Sequence, residues 1–257
     1  MLRREFLGAA GLALGASACV SGSSIAAAAT PSSSAIEAGD WVALRNLFPL
    51  TRDYIQLSTF LLASHPKPVS DEIDRHRRGL DENPSDYWHE HFQTIDGEVS
   101  AAAARYMGGQ GRQIALTDST TMGLALVYSG LKLRPGDEIL QTTHDHYSTD
   151  LSLANRAERT GAKIRRIALY EDPATTSEDS IVSNLRKGIS DNTRVVAVTW
   201  VHSSTGVKLP VRSMADAIGE INRKRAEEDQ ILFCVDGVHG FGVEDQDVSK
   251  LGCDFFI

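Results

Sequence analysis

This 257-residue chain is short of several things, and each shortage removes a class of explanation. Three cysteines, at positions 19, 234 and 253, are too few for the disulfide framework of a small secreted domain. Cys234 and Cys253 also sit inside apolar, strand-like runs, where a buried thiol is the expected state. Cations are in deficit, with 26 Lys and Arg against 34 Asp and Glu and a formal charge of −8. Without a cationic surplus to displace counterions from a phosphate backbone, the composition argues against a dedicated nucleic-acid role. No uninterrupted apolar run spans a bilayer comfortably, and neither an internal repeat nor a long linker is present. What remains is 42 % hydrophobic and 23 % charged, the make-up of a globular protein with a real core. The length suits one large α/β domain or a domain and a half.

The first thirty residues are a different material. "MLRREFLGAAGLALGASACVSGSSIAAAAT" pairs Arg3 with Arg4, follows them with Phe6-Leu7, and ends in an alanine cluster. This is the layout of a twin-arginine signal peptide over residues 1–30, with cleavage after Ala28 or Ala29. Cys19 invites a lipid-anchor reading, but Ala16 stands where a lipobox prefers Leu. Losing residues 1–30, which carry a net +1, leaves −9. The twin-arginine route exports folded proteins, often with a cofactor already inserted. It predicts a periplasmic or extracellular destination, with no stable membrane insertion once the signal is removed.

From about residue 110 the pattern alternates. The runs "RQIALT", "DEILQTT", "KIRRIALY", "TRVVAVTW" and "ILFCVD" read as strands. Between them, residues 119–131, about 149–160, about 177–188 and 211–225 read as helices. Such alternation predicts an α/β fold, a three-layer αβα sandwich around a mainly parallel sheet. Residues 31–110 form a mainly helical segment, with helices over 37–47 and 67–107. Residues 111–257 form the large domain.

In open parallel sheets ligands lie beyond the carboxyl ends of the strands. Four strand ends offer polar chemistry here: Ser119-Thr120-Thr121 opening a helix, His144-Asp145-His146, His202-Ser203-Ser204, and Asp236 with His239. Hydroxyls at a helix start can be caps, and beside free amides they also suit a phosphate. A histidine at a strand end can be a loop residue or can stack on a planar heteroaromatic ring. A carboxylate closing a buried strand needs compensation, and a protonated pyridine nitrogen provides it. Phosphate, stacking imidazole and ring-nitrogen acid together describe pyridoxal phosphate. The pair His144 and His146 also raises a metal-dependent hydrolase, although Ser148 stands where zinc sites of that pattern carry Asp. His89 and His91 form a second pair, two apart on a helical stretch and so on different faces. No metal site is expected.

"DSTTMGLALVYSGLKLRPGDEIL", "TTHDHYS", "HSSTGVKLPV" and "VDGVHGFG", in this order and spacing, resemble the class V aminotransferases of the fold-type I pyridoxal-phosphate enzymes. The isopenicillin N epimerase-like group is the nearest in flavour, with cysteine desulfurases more distant, and the match runs from about residue 50 to 257. The resemblance implies an amino-acid substrate, a homodimer, and transferase, epimerase or lyase chemistry. By position it gives Thr120 and Thr121 the cofactor phosphate, with Ser119 beside them, and gives His146 the ring face. It gives Asp236 the pyridine nitrogen and His239 the phenolic oxygen, while Ser203 falls where many relatives carry Asn.

The family's Schiff-base lysine follows the next strand, which "CDFFI" resembles, and is expected beyond Ile257. No catalytic residue is therefore assigned in this chain, which is expected to be a C-terminally incomplete record and inactive as it stands. Lys250 precedes that strand and reads as a surface residue. The remaining alternative is an inactive module that only holds the cofactor.

Overall fold

The computed structural model describes residue 37, residues 39–57 and residues 62–257; the expected signal at 1–30 lies outside the described residues. The described residues divide into two compact units: those of Met1–Ile55 and Ser64–Glu72, and those of Gln56–Ala63 and Ile73–Ile257. The first unit contains α1 (Trp41–Asn46), capped by Asp40, whose carboxylate accepts from the Ala43 amide at 2.9 Å. Helix α2 (Lys67–Glu82) follows. The mainly helical stretch expected over 67–107 consists of three helices, with Pro84 at one of the boundaries. Asn83 caps α3 (Pro84–His91) with proline in its first turn, and α4 (Ile95–Met107) starts afresh after Thr94.

The sheet lies in the second unit. Its strands are β1 (Glu138–Thr142), β2 (Lys163–Ile167), β3 (Thr193–Thr199), β4 (Leu232–Asp236) and β5 (Phe255–Phe256). They stand in the order β2-β1-β3-β4-β5, every pairing parallel. Helix α5 (Thr120–Gly130) leads into β1, and the helices between successive strands are α6 (Tyr147–Thr160), α7 (Glu178–Gly188) and α8 (Val211–Asn222).

Alternation along the strands shows the two covered faces. Leu140, Val196, Val198, Phe233 and Val235 join Ile181 and Leu185 of α7 and Met214 and Ile218 of α8 in one core. The intervening Ile139, Val195, Ala197 and Cys234 join Leu124 and Tyr128 of α5 and Leu153 of α6 in the other. The sheet is thus the middle of three layers. Strand β2 is the exception, a charged edge whose Arg166 pairs with Asp150 at 3.2 Å, which blunts the exposed ladder.

Two expected strands are corrected. "RQIALT" forms no strand: residues 111–113 make a 3₁₀ turn and 114–117 run irregularly. Its β-rich composition finds no neighbouring strand among β1–β5 to take its backbone bonds. The run expected over 163–170 leaves the sheet after Ile167, sending buried Leu169 and Tyr170 into the core.

Both later cysteines are free; Cys234 is buried and Cys253 half-buried, its thiol pushed up to about 11 by burial. Among the described residues no helix is long and apolar enough to cross a membrane.

One glycine shows how tightly the segments after β3 and β4 pack. A Cβ at Gly240 would lie 2.1 Å from Cε3 of Trp200, and Trp200 is itself buried edge-on to Phe256. Gly240→Ala should therefore cost about 2 kcal/mol in urea unfolding, because the indole has nowhere to retreat. An unchanged midpoint would show the packing to be looser than described.

Candidate functional site

The sheet's order reverses at β1: the chain passes outward to β2, then returns to β3 on β1's other side. A crevice opens at such a reversal, beyond the carboxyl ends of the strands. A cavity of about 240 Å³ lies there. All seven residues singled out from the sequence line it: Ser119, Thr120 and Thr121 from the start of α5, His146 before α6, Ser203 after β3, and Asp236 and His239 after β4. Positions separated by up to 120 residues meet at one wall because every strand points the same way.

Two helices begin at this cavity. Ser119 caps α5, its hydroxyl oxygen accepting from the Met122 amide at 3.2 Å, so part of its capacity serves the helix itself. The first amides of α5, from Thr120 and Thr121, have no carbonyl one turn back to bond. Helix α6 starts two residues earlier than expected, and His146 is its cap, Nδ1 accepting from the Ser148 amide at 3.4 Å. Ser148 Oγ lies 3.0 Å from that nitrogen and 3.2 Å from Thr121 Oγ1, tying the two helix starts together. Two converging helix N-termini with hydroxyls between them make a positive, donor-rich corner suited to an anion. The accepting role of Nδ1 leaves the ring proton of His146 on Nε2.

Asp236 supplies the opposite charge. It is 2 % exposed and ends β4 level with Thr199 of β3. Its carboxylate accepts from one amide, that of Val238, at 3.1 Å. Burial pushes its pKa above the usual carboxylate value, an effect only partly offset by that amide and by the nearby His146 and His239. Thr199 Oγ1, also on the cavity wall, is buried without a hydrogen-bond partner. An under-compensated carboxylate and an orphan hydroxyl on one wall fit a cationic, hydrogen-bonding guest.

Several participants escaped sequence reasoning. Ser148 and Thr199 are ordinary alcohols in sequence. Asp145 is the larger omission: its two carboxylate oxygens accept from the amides of Thr142 (2.6 Å) and Thr199 (2.8 Å), fastening the tips of β1 and β3 at the crevice. Burial raises it to about 6. His144, considered only as a metal ligand, lines the cavity and stacks flat on Tyr170, with centroids 4.3 Å apart. The rings of His144 and His146 are thus engaged separately. Among the described residues no group of three or more His, Cys, Asp or Glu is arranged around a metal position. Lys250 is exposed and pairs with Asp247 at 3.4 Å.

The family described as "Aminotransferase class-V" matches residues 63–257. The chain belongs to the class-V aminotransferase family. Within it, the chain is 26 % identical over 217 residues to the isopenicillin N epimerase of Streptomyces clavuligerus, covering 84 % of this chain and 52 % of that protein. It is 27 % identical over 218 residues to a cysteine desulfurase of Haloferax volcanii, covering 80 % and 47 %. This class-V chain spans about half the length of the curated relatives it matches. Among solved structures it shares its fold with a lysine-to-alanine mutant of C-DES carrying glycine covalently linked to the PLP cofactor. That match has a TM-score of 0.72 and 23 % identity over 82 % of this chain and 54 % of the other. A cysteine desulfurase from Escherichia coli matches with a TM-score of 0.66 at 23 % identity, covering 84 % and 53 %.

Proposed function

We propose that this chain is the cofactor-holding part of a pyridoxal-phosphate enzyme that acts on an amino acid. Asp236 carries the reading: a buried acid with one amide partner faces a cavity whose other walls offer an imidazole and two helix N-termini. Pyridoxal phosphate, when bound, supplies an electron-withdrawing ring and an aldehyde that takes up amines. The residues present fit it. Thr120 and Thr121, with Ser119, would hold the phosphate through hydroxyls and the free amides of α5. Asp236 would keep a proton on the ring nitrogen, the charge of each stabilising the other. His146, its orientation set by Ser148, would lie against the ring, with His239 toward the phenolic oxygen as the family resemblance assigns it, and Ser203 on the cavity wall where many relatives carry Asn.

The proposed substrate class is an amino acid, because the relatives are named isopenicillin N epimerase and cysteine desulfurase. Epimerase, lyase and aminotransferase chemistry all remain within this proposal. The resemblance implies a lysine after the strand that β5 matches, and the carbonyl of Ile257, which follows β5, accepts from the Gly237 amide at 2.7 Å. A homodimer, checked by its mass in solution, and export through residues 1–30, checked by loss of that segment from the exported protein, complete the proposal.

The test is direct binding. Equilibrium dialysis of the chain with pyridoxal phosphate should show saturable binding at one site, and pyridoxal, which lacks the phosphate, should bind about tenfold more weakly or worse. Equal affinity for the two would remove the anion corner from the account. No saturable binding of either would overturn the proposal.

A further inference from the structure

The cofactor reading leaves one cavity residue without a task, His144, and behind it lies a buried polar cluster that the reading does not use. Tyr170, 4 % exposed, supports the flat face of His144, with 4° between the rings. Its hydroxyl lies 2.7 Å from His202 Nδ1 and 2.7 Å from Thr205 Oγ1. His202 is fully buried, its centroid 5.4 Å from that of His144, and its Nε2 has no hydrogen-bond partner. Burial and the neighbouring His144 lower His202 to about 4, so it is neutral under ordinary conditions.

The cluster's direction follows from its one bare nitrogen. A buried N–H without an acceptor costs more than a bare lone pair, so the proton of His202 belongs on Nδ1. Nδ1–H then donates to the Tyr170 oxygen, and the Tyr170 hydroxyl donates to Thr205 Oγ1. His202 and Thr205 flank Ser203 on one turn, closed by the Gly206 amide donating to the His202 carbonyl at 2.8 Å. Tyr170 therefore grips both sides of the turn that carries Ser203 to the cavity.

We propose that Tyr170 is a positioning residue for the cavity, its hydroxyl fixing the 202–206 turn and Ser203 and its ring fixing His144. Its effect on cofactor affinity rests on the pyridoxal-phosphate reading, whereas the clamp itself stands on geometry alone. The grip spans 32 and 35 positions of chain, so it holds only in the folded state.

Two variants and their combination test it. Tyr170→Phe keeps the stacking platform and removes the hydroxyl; Thr205→Val removes its acceptor from the other side. Each should weaken pyridoxal phosphate binding about three- to tenfold and speed hydrogen exchange at the His202 and Gly206 amides. The double variant should be no worse than Tyr170→Phe alone, because the Thr205 bond is one of the two that the hydroxyl makes. Additive losses in the double variant would overturn the clamp, as would Tyr170→Phe with exchange rates unchanged. Should the wild type fail to bind pyridoxal phosphate, the cofactor reading falls, and the exchange rates still decide the clamp.

Discussion

Asp236→Asn should weaken pyridoxal phosphate binding about 30- to 100-fold while making the cofactor-free chain more stable. The two effects have opposite sign and one cause. Asp236 is 2 % exposed and has one amide donor, so its ionised form sits in the cavity wall at a cost of desolvation. Replacing it with a neutral isostere removes that cost, about 1–2 kcal/mol for an incompletely paired buried group. A cationic ring nitrogen offsets the same cost, and losing one partner of such a pair is worth several kcal/mol. The asparagine still forms a neutral hydrogen bond, which is why the loss stops short of complete. The sign with pH follows from the raised pKa of Asp236. Its folded form holds a proton that the unfolded chain has released, so wild-type stability falls as pH rises through the folded value. The stabilising effect of the substitution therefore emerges at neutral pH and vanishes in acid. Thermal melts at both pH values, alongside dialysis, measure the two arms. Weaker binding without a stability gain would mean that Asp236 is better compensated than its surroundings indicate.

Asp145→Asn should change stability very differently at pH 4 and pH 7, by about 3 kcal/mol between the two. In the wild type, burial lifts Asp145 from 3.8 to about 6, although its oxygens accept from the Thr142 and Thr199 amides. The sign is the same as for Asp236. The carboxyl's contribution is fully present below 3.8 and is lost as pH rises to about 6, a difference of about 3 kcal/mol. Asparagine does not titrate and offers one oxygen to two amides, leaving one N–H facing its amide group. At pH 4 the variant, with that unmet donor, should be the less stable by about 2–3 kcal/mol. At pH 7 the cost of the buried charge is gone, and the two proteins should converge. Urea unfolding across pH 4–7 reads this directly. Parallel wild-type and variant profiles would show that Asp145 titrates normally and that the β1–β3 tips are more hydrated than described.

The sequence was most legible where local pattern and final environment agree. Strands β1, β3 and β4 are apolar runs that end in polar residues, and those ends became the cavity wall. Asp236 stood out because an acid closing a buried strand is costly, and cost marks purpose. Helix α6 begins two residues before its expected start because its cap is a histidine, a residue without the usual cap signature of Ser, Thr, Asp or Asn. "RQIALT" misled because strand formation needs a neighbour, which composition does not report. Asp145 was hidden between two more conspicuous histidines, and one of its two anchors, the Thr199 amide, lies 54 residues along the chain. The grip of Tyr170 on His202 and Thr205 was equally out of reach, since it arises only when the end of β2 folds beside the turn after β3.

The central claim is a charge pair between Asp236 and a ring nitrogen, and the ¹⁵N resonance of bound, ¹⁵N-ring-labelled pyridoxal phosphate reports it most directly. The account predicts a protonated pyridinium shift for the wild-type complex near neutral pH, moving to the unprotonated value in Asp236→Asn. An unprotonated ring nitrogen in the wild-type complex, or an identical shift in the two proteins, would contradict it.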